Sequence, residues 1–279
     1  MTSYQLGILV ILSFNIIAAY AVYLPLAAGQ LNLGIAGFMA IGAYAAAYLT
    51  NEFDWSVAFA IPTGGLLAGL IALIVAVPVL RTHGIYLALA TFALGQLIAA
   101  VFLNVEAVGA AAGYPVSTYV GAPWVIAAAV VIVLVVFLIS RTRFALYLTA
   151  VKSDVVVADL LGLNVRGLQV AGFTIGAVIA GIGGGFYAHH FSFVEAQHFS
   201  VLLSVYTALY VLLGGTQTVW GPLVGAAFFT LLPELLRTSS QWRYAAFAAL
   251  IILIMAARPQ GLVTANLFHR FRRRAGDAS

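Results

Sequence analysis

Long apolar runs, interrupted by short polar or glycine-containing stretches, occupy almost the whole chain. A helix needs about 20 mainly apolar residues to cross a bilayer, and nearly every window of this sequence meets that test. Nine spans are predicted: Gly7 to Leu24, Leu31 to Leu49, Trp55 to Leu80, Ile85 to Leu103, Trp124 to Ser140, Leu168 to His189, Val201 to Leu213, Leu223 to Leu236 and Tyr244 to Ala257. A loop of small residues separates the fourth from the fifth. A polar break, 141–167, separates the fifth from the sixth. The expected fold class is all-α, a polytopic transmembrane helical bundle occupying 1–279 as one domain, with a basic tail over 258–279.

Composition agrees with lipid as the solvent. Of the 279 residues 64% are hydrophobic and 7% charged, whereas a soluble domain carries about 25% charged residues. No water-facing surface of this size could be built from so few charges. The bases are unevenly placed. Arg81 lies between the third and fourth spans; Arg141, Arg143, Lys152 and Arg166 lie between the fifth and sixth; Arg258, Arg270, Arg272, Arg273 and Arg274 follow the ninth. With alternating spans all of these fall on one side, which the positive-inside rule makes the cytoplasm. Glu52 and Asp54 fall opposite, and the N-terminus is expected outside, the C-terminus inside. Arg237 and Arg243 run against the scheme. The arginine tail beside a helix suits anionic headgroups rather than nucleic acid. The first residues lack the basic n-region of a secretory signal, so the first apolar run is expected to be a retained helix.

Glycines recur four apart at Gly65/Gly69, Gly172/Gly176, Gly181/Gly185 and Gly221/Gly225, a spacing that lets helix backbones approach. The cluster Gly181, Gly183, Gly184 and Gly185 weakens a helix and is expected to bend or open. Residues 29–44 and 214–228 share an order of glycine-rich, then polar, then helical sequence, suggesting an internal, inverted repeat with broken helices.

Chemistry is scarce. No Asp, Glu, Lys, Arg or His falls in the middle of a predicted span, which disfavours a proton-coupled carrier or an intramembrane enzyme. Sodium coupling through carbonyls and hydroxyls stays open. With no phosphate-binding loop, the chain does not hydrolyse ATP by itself. There are no cysteines, and no cofactor is expected. His189, His190, Glu195 and His198 offer metal-ligand chemistry, but adjacent histidines point apart on a helix. An interfacial position on the outer side is expected, and no metal.

The stretch 141–167 is the longest polar one. Within it Leu148, Val151, Val155, Ala158 and Gly162 follow helical spacing along one face, with Lys152 and Asp159 on a neighbouring face. Gly162 is placed to end the helix. Such an element either docks on a partner, its apolar knobs filling a groove and its charges setting register, or lies on the bilayer surface.

Here the sequence resembles a known family. Ala150, Val151, Lys152, Ser153 and Asp154, then Ala158 to Leu161, then Gly162, Leu163 and Asn164 are similar to the EAA coupling motif of ABC importer permeases, and more closely to the LivM-type subunits of branched-chain amino-acid importers. Four further stretches resemble that family in order: Leu31 to Gly34 through Ile41 to Tyr44; Leu80 to Tyr86 with Ala90, Thr91 and Gly95; Leu213 to Gly215 with Val219 to Pro222, Gly225 and Ala226; and Arg258 to Leu262. Together they cover most of the chain. Departures fall at Gln217 (Gly in the family), Asn32 (Ser), Ile35 (polar or His), Leu168 and Gln169 (a base), and in the loop Phe193 to Phe199.

The resemblance implies one half of a heterodimeric pore for branched-chain or other small amino acids. A second related permease, two cytoplasmic ABC ATPases and an extracytoplasmic binding protein would complete it, in a bacterial inner membrane. Coupling to the ATPases is expected at Ala150, Val151, Lys152, Asp154, Ala158, Asp159 and Gly162, and the translocation path at Asn32, Gly34, Thr91, Gln96, Gly215, Thr216 and Gln217. The departures keep open the same machine carrying urea or short amides. An ATP-independent channel or sodium-coupled carrier is the alternative of another class.

Overall fold

The computed structural model describes residues 3–235, 248–249, 251–253, 256 and 261–263. The helices within residues 3–235 are α1 (Ser3–Ala27), α2 (Ile35–Glu52), α3 (Val57–Val79), α4 (Ile85–Asn104), α5 (Ala122–Ser140), α6 (Arg143–Ser153), α7 (Val155–Leu160), α8 (Val165–Phe191), α9 (Val201–Gly214) and α10 (Trp220–Leu235). Among the described residues six stretches are long and apolar enough to cross a membrane: α1, α3, α4, α5, α8 and Ala196–Gly214, which contains α9. At 1.5 Å per residue they run about 28–40 Å, the depth of a bilayer core. Eight of the nine predicted spans thus coincide with helices in order, although α2 ends on the polar pair Asn51 and Glu52 and α10 has only 16 residues. The predicted ninth span falls largely outside the described residues, as do Arg237, Arg243, Arg258 and the whole of 264–279.

The centre of the bundle is built from α1, α2 and α8. Ile17, Tyr20, Ala21 and Val22, Phe38 and Ala43, and Phe173, Ala177 and Ala180 are fully buried. The rings of Phe38 and Phe173 meet edge-on with centroids 5.6 Å apart. Around this centre α3, α4 and α5 turn Leu66, Ile74, Leu89, Leu97, Val130 and Leu134 outward. Lipid tails are as apolar as these side chains, so the helices are held by close packing rather than by expulsion from water.

That packing explains the glycine cluster. Helix α8 runs unbroken through Gly181, Gly183, Gly184 and Gly185, against the expected bend. A Cβ on Gly181 would stand 2.9 Å from the Cα of Gly65 in α3, and one on Gly184 would strike the backbone carbonyl of Met39 in α2. The glycines are where two neighbouring helices press on α8. The dispersion attraction between these bare, closely approached backbones outweighs the loss of helix propensity, about 1 kcal/mol per glycine.

The two ends of the bundle differ. At one, β1 (Tyr114–Pro115) and β2 (Phe193–Val194) pair antiparallel with Tyr114 opposite Val194, and Asn51 donates to the Pro115 carbonyl at 2.7 Å. At the other, the Arg166 guanidinium donates to the Val77 carbonyl at 3.1 Å, and the backbone of Gly29 lies against Lys152. The bases at 81, 141, 143, 152 and 166 gather at this second end.

Candidate functional site

The segment between α5 and α8 is two helices, not the single one predicted. Asp154 takes extended backbone angles, φ −157° and ψ 112°, and ends α6. Its carboxylate then accepts from the amides of Val156 and Val157, at 2.9 and 3.1 Å, and caps α7. An Asp can satisfy the orphan amides of a new helix better than it can continue an old one. Gly162 closes α7 in the left-handed region (φ +80°), its amide reaching the Asp159 carbonyl at 2.9 Å while Leu163 reaches Ala158 at 3.1 Å. Asn164 caps α8 through the Gly167 amide at 2.9 Å.

The break rearranges the expected face. Leu148, Val151 and Ala158 are buried, as helical spacing requires, but Val155 lies beyond the kink and is 44% exposed. Val156, Val157, Leu160 and Leu161 are exposed too, Leu160 at 81%. The apolar surface of α7 therefore looks away from the bundle. Asp159 is exposed beside it. Lys152, although exposed overall, turns its ammonium the other way, donating to Thr216 Oγ1 at 3.0 Å, and partial burial holds its pKa below that of a free lysine.

A second feature is the gap between α1 and α2, where the helix begins at Ile35 rather than at the predicted Leu31. Pro25 lies near the end of α1, and the amides of Ala28 and Gln30 both reach its carbonyl at 3.0 Å. Gly29 turns the chain with φ +78°. Residues 30–34 then carry no regular structure although they are packed inside the bundle. Such backbone is tolerated in a membrane bundle only where it is buried in protein or lines a water-filled cavity. Asn32 Oδ1 accepts from the Gly34 amide at 2.8 Å. Thr91 Oγ1 accepts from Leu33 at 3.0 Å. Ser204 Oγ accepts from Ala36 at 3.0 Å, capping the start of α2 from another helix. Gly34 sits so close to α4 that a Cβ would lie 2.6 Å from the Thr91 carbonyl oxygen. Gln30 and Asn32 are 2% and 1% exposed, yet Gln30 Oε1 and Asn32 Nδ2 have no partner among the described residues. Buried polar atoms without partners are few in native proteins, and the gap holds two of the six found among the described residues.

The third feature is the break between α9 and α10. Gly215 (φ +112°) ends α9, the amides of Leu262 and Val263 pair with the carbonyls of Leu213 and Gly214 at 2.8 and 2.9 Å, and Tyr20 donates to the Val219 carbonyl at 2.8 Å.

The structure brings Asn32, Gly34 and Thr91 together, and joins Thr216 to Lys152. Gly215 is buried, its Cα pressed by the backbone of 261–263. Gln96 does not join either group; it stands on the exposed face of α4. Gln217 faces a hollow of about 440 Å³ lined also by Tyr23, Arg141 and Trp220. Sequence reasoning missed Gln30 and Ser204. A Gln inside an apolar stretch was the available signal for the first; a serine one turn into a helix gives none. The histidines are divided among separate partners: His189 is buried, donating to the Gly185 carbonyl at 2.8 Å with Thr50 at 3.2 Å; His190 donates to the Val120 carbonyl at 2.8 Å; His198 pairs with Glu195 at 3.4 Å.

Comparison with known proteins gives these features a context. Residues 4–257 match the model of a family described as branched-chain amino acid transport system / permease component. The chain is 28% identical over 271 residues to the high-affinity branched-chain amino acid transport system permease protein LivM of Escherichia coli (strain K12), covering 84% of this chain and 64% of that protein. The LivM of Salmonella typhimurium gives the same identity and coverage. The autoinducer 2 import system permease protein LsrC of Photorhabdus laumondii is 28% identical over 148 residues, half of this chain and 44% of that one. The chain thus spans just under two thirds of the length of the two LivM relatives. No solved structure matches.

Proposed function

The chain belongs to the family of branched-chain amino acid transport system permease components, and on that footing we propose that it forms half of the pore of an ATP-driven importer for branched-chain or other small amino acids. Its partners are a second related permease, two cytoplasmic ABC ATPases that supply the hydrolysis, and an extracytoplasmic binding protein that delivers the cargo. The end bearing Arg81, Arg141, Arg143, Lys152 and Arg166 faces the cytoplasm; the N-terminus lies outside and the C-terminus inside.

The observation that carries this reading is helix α7. Its Val155, Val156, Val157, Leu160 and Leu161 are exposed at the basic end of a membrane bundle, on a short helix fixed by a capped break on one side and a left-handed glycine on the other. A rigid apolar knob of this kind is suited to a groove in a soluble partner. The gap at 28–34 beside Thr91, where Gln30 Oε1 and Asn32 Nδ2 have no partner among the described residues, supports a polar stretch of path within the membrane.

The test is isolation from native membranes followed by reconstitution. Recovery of a sister permease and two P-loop ATPases, with ATP-dependent uptake of labelled leucine, supports the reading. Uptake of urea instead would keep the machine and change the cargo, which relatives importing different molecules make a real outcome. Transport by this chain alone without ATP would discard the reading in favour of a carrier or channel.

A further inference from the structure

Lys152 stands at a junction of three otherwise separate parts. It lies on α6, two residues before the capped break that begins α7. Its Cα is 3.5 Å from where a Cβ on Gly29 would be, so its backbone lies against the turn that opens the 28–34 gap. Its ammonium donates to Thr216 Oγ1 at 3.0 Å and leans on the Thr216 carbonyl at 3.5 Å, in the break between α9 and α10. The helix beneath it is anchored, since Val151 is fully buried and Leu148 nearly so. A hollow of about 200 Å³ lies beside this junction, lined by Gly29, Gln30, His83, Val151, Lys152 and Gln169.

From this placement we infer that Lys152 is not a docking residue but a strut: it transmits displacement of α7 to the two helix breaks that shape the path. The inference rests on the importer reading. The physical reason is direct. Interrupted helices lack internal hydrogen bonds at the break and depend on groups from elsewhere to hold the backbone there. A charge-assisted hydrogen bond is stronger than a neutral one, and this one, on the exposed side of the bundle, joins the segment that leads into α7 to backbone outside any helix. The hollow beside Gly29 gives the strut room to shift. Asp154, two residues further on, caps α7 and fixes the direction in which it leaves. Lys152 is a positioning residue; it acts through Thr216 and the Gly29 turn.

The experiment uses the complete transporter in proteoliposomes, measuring labelled leucine moved per ATP hydrolysed for wild type, Lys152→Met, Thr216→Val, the double variant and Lys152→Arg. Insertion of each variant is confirmed first, and its ATPase retention is scored by pull-down beside the transport ratio. The expected result is a fall of tenfold or more in substrate per ATP for Lys152→Met, a smaller fall for Thr216→Val, no additional loss in the double variant, and recovery of at least half the ratio in Lys152→Arg. A docking role predicts lost ATPase binding at an unchanged ratio, and would overturn the strut. So would a Lys152→Met transporter with the wild-type ratio, or single effects that multiply in the double variant. A wild-type complex that moves no substrate on ATP would overturn the importer reading itself, and this inference with it.

Discussion

Gly184→Ala tests the central packing most sharply. The added Cβ would strike the carbonyl oxygen of Met39 and lie 2.7 Å from its carbonyl carbon and 3.0 Å from its Cα. All three are backbone atoms of α2, so no side chain can rotate aside; α2 or α8 must shift. Forcing a methyl into a packed core costs about 1–3 kcal/mol, and a rigid backbone obstacle argues for the upper part of that range. Replacing glycine by alanine inside a helix returns about 1 kcal/mol. The net expectation is a loss of about 1–2 kcal/mol. For chains of 150–250 residues 1 kcal/mol moves a thermal midpoint by about 2–4 °C, so the midpoint should fall by about 2–8 °C. The assay is thermal unfolding of the purified protein in detergent, followed by tryptophan fluorescence. Gly7→Ala is the control, because a Cβ there meets nothing within 4 Å; its midpoint should equal or exceed that of wild type. A Gly184→Ala protein as stable as wild type would refute the close approach of α2 and α8.

Three further outcomes follow from the same geometry. Gly162→Pro should abolish import while membrane insertion stays normal, since proline holds φ near −65° where the chain needs +80°; full transport would remove α7 from the coupling pathway. Leu160→Glu should leave thermal stability unchanged, because the side chain is 81% exposed, yet weaken ATPase recovery in a pull-down at least tenfold; undiminished recovery would show that α7 lies on lipid instead. Ser204→Ala should cost about 1–3 kcal/mol by leaving the Ala36 amide unpartnered in the bundle, read as a lower thermal midpoint; no change would mean that the cap is dispensable.

The sequence was informative where apolar length decides structure. Helices α3, α4 and α5 lie within a few residues of their predicted spans, because each is a continuous apolar run bounded by polar or turn residues. It was least informative where backbone is satisfied from far along the chain. The gap at 30–34 reads as part of a span by composition, since Leu31, Leu33 and Ile35 are apolar. It stays unwound because Thr91 and Ser204, 58 and 168 residues from their partners, supply the acceptors that a helix would otherwise provide internally. The break at Asp154 was hidden for the opposite reason. Helical spacing continues across it, and only the local competition of the carboxylate for the amides of Val156 and Val157 interrupts it.

What the chain determined alone is its solvent, its helical class and the asymmetry of its ends, because each depends on composition summed over windows of about 20 residues. What the tertiary structure decided is direction: that the glycines of α8 seat α2 and α3 rather than open a hinge, that α7 turns its valines and leucines outward, and that Lys152 reaches inward to Thr216. Periodicity assigns a side chain to a face of its own helix. Only the packing of the other helices settles what that face meets.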